Sequence, residues 1–284
     1  MLGITPFGAL HTAISLGFSQ SAGTFAAWPT PTVKIHQARG AYAGVVSAHV
    51  AQRGFSAAEN PLWAEDGGLF RTYGLAKSAS TRGVPEPGQP DRWELENVSL
   101  RMWPGATPIQ VLLTALLAKP DSLPRADDVR GVTVRVSPTL WKAHHALQHP
   151  TGTFESLLSY HFATATALVY GEMRPEHAAD SALRDDPRVR HVRDQVRLVA
   201  DPDLTGAAVC VEIETAAGIV RLGQEQALGS PGLPADREQV VTKFRNYAAS
   251  RLGPAASERL LAGLSDLTSV ASLATLLLEA SPDA

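Results

Sequence analysis

Residues 32–55, TVKIHQARGAYAGVVSAHVAQRGF, restrict the fold more than any other stretch of the chain. From Ala38 onward Ala41, Val45, Ala48, Val50 and Ala51 recur at helical spacing, and Gly40 and Gly44 lie four apart. A glycine inside a soluble helix costs about 1 kcal/mol against alanine, so two of them predict a close backbone neighbour on that face. Gly54 supplies a C-terminal stop, and Phe55 is placed to fold back as the apolar contact that follows it. Lys34, His36 and Arg39 sit within six residues at the helix entrance. Cations beside free helix N–H groups suit a carboxylate-bearing ligand. A solvated basic turn entering a core helix fits the same residues, and both readings stand at this point.

The surrounding chain reads as helices, then a mixed block, then helices. Residues 5–27 predict an apolar helix with Thr5 as N-cap and Pro6 at its first turn, ended by Trp28-Pro29-Thr30-Pro31. Residues 59–74 form a short amphipathic piece around Gly67-Gly68. Pro85, Pro87 and Pro90 mark a linker at 75–92. Thr107 as N-cap and Pro108 at the first helical position open a helix filled by IQVLLTALLA and ended by Pro120 and Pro124. Residues 131–136 alternate as a half-buried strand, 153–171 form one long helix, and a shorter helix runs from Asp186 or Pro187 to about Gln195. Strands follow at 195–200, 207–214 and 218–222, with a hairpin turn at Ala216-Ala217-Gly218. After a second linker at 229–234, Asp236 caps a helix to Leu252, and helices at 255–263 and 267–279 finish the chain. The fold class is α+β: a mainly helical domain interrupted by a smaller α+β insert, with boundaries 1–76, 77–230 and 231–284.

Composition removes several function classes. A 44% hydrophobic and 19% charged chain with net charge −3 has material for a core and no global field for nucleic acid. The lone Cys210 rules out an internal disulfide framework and fits a reducing cytoplasm. No apolar run is long enough for a membrane span, and the first residues lack the basic lead of a signal peptide.

The spaced pattern carried by Lys34, Ile35, His36, Arg39, Ala41, Gly44, Val45, Ala48, Ala51, Gly54 and Phe55 resembles the MmgE/PrpD family. That family includes 2-methylcitrate dehydratases and cis-aconitate decarboxylases. Gly68-Leu69-Phe70, Arg101-Met102-Trp103-Pro104 and Lys243-Phe244-Arg245 extend the likeness over almost the whole chain. The resemblance implies a helical domain completed by C-terminal helices, an α+β lid, and a site in the cleft between them. It implies a lyase acting on a di- or tricarboxylic acid without metal or cofactor. Lys34 and His36 are then the catalytic candidates, and Arg39, Arg101 and Gln110 the substrate-binding ones.

The chain departs from the family at several points. Arg101 stands where relatives carry a lysine; it can clamp a carboxylate but cannot give up a proton near pH 7. The family histidine falls on Ala106 or Gln110, and a tyrosine donor falls on Phe162. Tyr160 or His161 stands in for it only if that helix is rotated; a buried core face is the simpler reading. The resemblance also begins inside the family's helical domain, so an acidic and histidine-bearing segment has no counterpart before Met1. General acids and bases each supply about 10²–10⁴-fold in rate, so a full lyase set is not visible. Three readings follow: a lyase completed by another chain, a non-catalytic relative that binds an acid or a partner protein, and an inactive scaffold. Uncovered apolar helix faces predict a homodimer or association with a chain supplying the upstream segment.

Other motifs carry less. His145 and His149 have i, i+4 spacing, but no third ligand lies near them in sequence, so a metal site is not expected. Arg188, Arg190, Arg193 and Arg197 are diluted by Asp185, Asp186 and Asp194 and read as a solvated helix. Lys243-Phe244-Arg245 reads as packing and ion pairing, and Cys210 as core.

Overall fold

A computed structural model describes residues 7–28, 30–74, 94–118 and 123–279. The cap at Thr5-Pro6, the linker at 75–92 and the stop at Pro120 lie outside the described residues. The chain divides into two units, Met1–Asp91 and Arg92–Ala284.

The first unit pairs α1 (Phe7–Ser19) with α2 (Thr32–Gln52), followed by the single turn α3 (Leu69–Thr72). The helix expected over 5–27 stops at Ser19; a separate 3₁₀ turn occupies Phe25–Ala27. Gly23, at φ +117°, turns the chain between them where an L side chain would be strained. α2 ends as the sequence predicts. Gly54 adopts φ +80°, its N–H donates to the Ala51 carbonyl, and the Phe55 N–H donates to that of Val50, a Schellman closure. The Phe55 ring does not fold back and stays 64% exposed.

The second unit is built on α4 (Thr107–Leu117), β1 (Val129–Val136), α5 (Pro138–His144), α6 (Thr153–Ser156) and α7 (Tyr160–Tyr170). Three short helices follow, α8 (Pro175–Ala179), α9 (Ser181–Arg184) and α10 (Pro187–Asp194). Then come β2 (Val196–Ala200), β3 (Val209–Thr215), β4 (Gly218–Gln224), α11 (Arg237–Leu252), α12 (Pro254–Ser265) and α13 (Leu273–Glu279). The sheet order is β2-β1-β3-β4, with β1 and β2 parallel and the remaining pairs antiparallel. The helices from α5 to α10 form the crossover that a parallel β1–β2 pair requires. The α+β class read from the sequence describes this arrangement.

Alternation decides which sheet face is buried. Val132, Val134 and Val136 face Ile213, Val211 and Val209 across the β1–β3 ladder. These six side chains share one buried cluster with Ile109, Leu112, Leu113 and Leu116 of α4 and with Phe162 and Ala165 of α7. The opposite face carries a polar row. Arg221 donates to Glu212 at 3.0 Å, and Arg135 stands 3.5 Å from the same carboxylate. The Arg221 guanidinium, ahead of Arg135, holds the Glu212 carboxyl below its ordinary value. Cys210 belongs to this polar face, paired with Arg135 and Gly223, and is half-buried rather than core.

Several element boundaries differ from the sequence reading. The helix expected over 153–171 breaks at Leu157–Ser159, where the Ser159 hydroxyl donates to the Leu147 carbonyl at 2.6 Å and accepts the Phe162 N–H at 3.0 Å. One serine thus ties a loop and caps α7. His145 and His149 do not share a helix, because α5 ends at His144. Arg193 is buried against Asp194 at 3.2 Å, so α10 is not solvated on every side. The helix expected over 267–279 is a 3₁₀ turn at Leu267–Ser269 followed by α13.

Candidate functional site

In the first unit the basic entrance of α2 meets α1 in an open cleft of about 490 Å³. His36 and Arg39 stand on its wall together with Ile14, Phe18, Gly23 and Tyr73. Gly40 and Gly44 also line it, and a Cβ added at either would meet nothing within 4 Å. The glycines therefore open a groove, where the sequence predicted that they admit a close backbone. Gly23 differs: a Cβ there would lie 2.8 Å from His36 Nδ1, so the imidazole rests against bare backbone. Lys34 is exposed and is not on the cleft wall, since positions 34 and 36 project from well-separated sides of a helix.

The backbone at the start of α2 is less available than expected. Pro31 occupies the N-cap without a side-chain hydrogen bond. The Val33 N–H donates to the Thr30 carbonyl and the Lys34 N–H to that of Pro31. Two of the donors that would favour an anion are thus already used by a tight turn. Charge still favours one, because the chain has no acidic residue before Glu59.

In the second unit Arg101 and Gln110 come together around the loop that enters α4. The Arg101 guanidinium, exposed, donates to Thr107 Oγ1 at 3.0 Å and to the Gly105 carbonyl at 3.4 Å. Gln110 is 1% exposed, and its amide is committed to the loop. It accepts the Trp103 N–H at 3.1 Å and donates to the Trp103 carbonyl at 2.9 Å and that of Gly105 at 3.4 Å. Both residues border a pocket of about 390 Å³ that also includes Thr107, Glu225 and Ser230. Ala106, not Thr107, is the N-cap of α4, so Pro108 sits one position further in than the sequence suggested. The candidates therefore form two sets in separate units: His36 and Arg39 on the α1–α2 cleft, Arg101 and Gln110 at the entrance to α4.

The aromatic segment of α7 faces inward. Tyr160, His161 and Phe162 are all buried, and none lines a pocket described here. Burial first, then the nearby His149 and Arg193, pushes the His161 imidazole down to about 4. His144, bonded through Nδ1 to the Leu158 carbonyl at 2.8 Å, is also lowered by burial. The core reading of this segment holds. Among the described residues no group of three or more His, Cys, Asp or Glu side chains is placed to hold a metal ion.

One cluster escaped the sequence reading. Lys243 and Tyr247, one turn apart on α11, line a cavity with Glu172 and Arg174 from the loop after α7. Lys243 and Tyr247 have visible i, i+4 spacing, but nothing in the sequence links them to a loop seventy residues away.

An α+β domain with a β2-β1-β3-β4 sheet backed by α4 and α7 defines the second unit. Residues 106–267 match the model of the MmgE/PrpD C-terminal domain, which is more than half of the chain. The chain belongs to the MmgE/PrpD family. The matched stretch includes Gln110 and excludes Lys34, His36, Arg39 and Arg101. No curated protein matches the chain.

Proposed function

We propose that the protein is an MmgE/PrpD-type lyase that acts on a di- or tricarboxylic acid such as 2-methylcitrate or cis-aconitate. Its organisation under this reading is the three-segment division at 1–76, 77–230 and 231–284. The observation that carries the proposal is the α1–α2 cleft, with His36 and Arg39 on its wall in a stretch free of acidic side chains. Such a cleft attracts a polycarboxylate and gives it a two-pronged guanidinium partner. Arg101 and Gln110 are the substrate-binding candidates of the second unit, Gln110 acting through the loop it braces. The proton-transfer candidates are His36, on the cleft wall, and Lys34, exposed on a separate side of α2, so a ligand seated in the cleft meets His36 first. No metal or cofactor enters the scheme, and the setting is a reducing cytoplasm.

A second reading, a non-catalytic relative that binds a carboxylic acid or a protein partner, is favoured by the fully committed Gln110 amide and the buried Phe162. In the first reading a second copy or another polypeptide covers the exposed Ile35, Tyr42 and Val45 of α2 and supplies the remaining acid–base groups. Two measurements separate the readings. Citrate at 100 times its Kd should add about 2.7 kcal/mol to stability, and Arg39→Ala should remove that gain. Turnover of 2-methylcitrate or cis-aconitate by the assembled protein, lost in Lys34→Ala and His36→Ala, supports the lyase. Stabilisation without turnover supports the non-catalytic relative, and a melting temperature indifferent to citrate rejects both acid-binding readings.

A further inference from the structure

A cavity of about 350 Å³ opens between α11, the end of α4 and the loop after α7, wholly within the second unit. This volume is at the small end of the range for ligand pockets. One side is apolar and aromatic, formed by Trp103, Met173 and Leu228. The other carries Lys243 and Tyr247, with the ammonium 5.9 Å from the centre of the phenol ring.

The charges on this wall are unevenly compensated. Arg174 is locked onto Glu172 at 2.8 Å. Asp236 is spent capping α11, accepting the Gln239 N–H at 2.8 Å. Lys243 is half-buried and has neither a hydrogen bond nor a carboxylate partner among the described residues. Burial alone pulls its amine below the ordinary lysine value, as expected for a cation that lacks a counter-charge. The Tyr247 hydroxyl likewise has no hydrogen-bond partner among the described residues, and burial pushes it up to about 12. At neutral pH it is therefore a donor.

We propose that this cavity binds a small organic monoanion with an apolar or aromatic body, its head group on Lys243 and Tyr247 and its body against Trp103, Met173 and Leu228. Lys243 is the one cation on the wall without a carboxylate partner among the described residues, so it offers a single charged contact to a head group. Glu172, Asp236 and Glu238 outnumber Arg174 and Lys243 on the lining, which leaves no positive charge for a second anionic group. The site is therefore distinct in ligand class from the polycarboxylate cleft of α1 and α2, and it does not rest on that assignment.

The test uses the full-length protein and 2-naphthoate, titrated calorimetrically beside the neutral 2-naphthamide. Naphthoate should bind, and Lys243→Met should weaken it by about tenfold or more, the cost of one lost charge-assisted contact. Lys243→Arg should restore most of the affinity, and naphthamide should bind weakly and ignore both changes. Thr242→Trp, at an exposed position on the cavity wall, should block naphthoate while leaving the melting temperature unchanged, which keeps the test decisive if Lys243→Met fails to fold. No binding of naphthoate, equal binding to Lys243→Met, indifference to Thr242→Trp, or displacement by equimolar citrate would each overturn the proposal.

Discussion

In the α1–α2 pair the buried apolar side chains among the described residues are Ala13, Ala43, Ala48 and Ala51, with Leu16 packed against the cluster of Ala13, Ala48 and Ala51. In the α+β unit α4 alone buries Ile109, Leu112, Leu113 and Leu116, and β1 and β3 add seven more large aliphatics. Each fully buried leucine or valine contributes about 1.5–3 kcal/mol, several times what an alanine methyl contributes. The same contrast runs through the charges. The first unit offers exposed cations around a groove; in the second, most polar groups near the core are tied into loops, caps and ladders. A sparse core beside an open basic cleft suits a surface that acquires order from what it binds. A dense core with committed polar groups suits a scaffold.

The largest expected effect is on that scaffold. Leu112→Ala, at a fully buried position, should cost about 2–5 kcal/mol in denaturant unfolding of the second unit. Leu16→Ala should cost clearly less, because Leu16 is only partly buried among alanines. Equal losses would erase the contrast.

Acid should act on the second unit next. His161 titrates lower folded, at about 4, than its ordinary 6.5, so the unfolded chain takes up protons first as pH falls. Its stabilising effect is full above about 6.5 and is lost on descent toward 4, by up to about 3 kcal/mol at 1.36 kcal/mol per pKa unit. His144 and His177 are lowered in the same direction by burial and should add to the slope. His161→Leu should flatten the pH dependence of melting; an unchanged slope would place the acid sensitivity elsewhere.

Smaller effects probe the second unit's polar ties. Asp186 accepts the Arg188 N–H at 2.7 Å, capping α10, and the Tyr170 hydroxyl at 2.7 Å. Arg188, with Tyr170 behind it, holds this carboxyl well below the usual range. Asp186→Ala should cost about 1–2 kcal/mol, read from thermal unfolding at pH 7. Tyr160→Phe should be neutral or stabilising by up to about 1 kcal/mol, because the buried hydroxyl has no hydrogen-bond partner among the described residues. A clear loss there would mean that the hydroxyl is satisfied.

These differences also explain what was legible in the sequence. Alternating valines in 131–136 and 209–213 announce strands because one face must be buried, and Asp236 and Gly54 announce helix ends because their chemistry is local. The break at Ser159 was not visible, since the side chain's second partner is Leu147, twelve residues away. The glycines of α2 were visible but ambiguous: a missing Cβ permits either a close neighbour or a groove, and spacing does not distinguish them. Gln110 showed a similar limit. The family resemblance puts an active-site histidine at Ala106 or Gln110 and so reads Gln110 as a ligand contact, whereas burial has turned its amide into the loop's brace.

Amide hydrogen exchange with and without citrate tests the contrast most directly. Free protein should exchange the α1 and α2 amides quickly and those of β1 and β3 slowly, and citrate should slow exchange in α2 around His36 and Arg39. Protection of α1 and α2 equal to that of the sheet before any ligand is added, or citrate protection confined to the second unit, would contradict it.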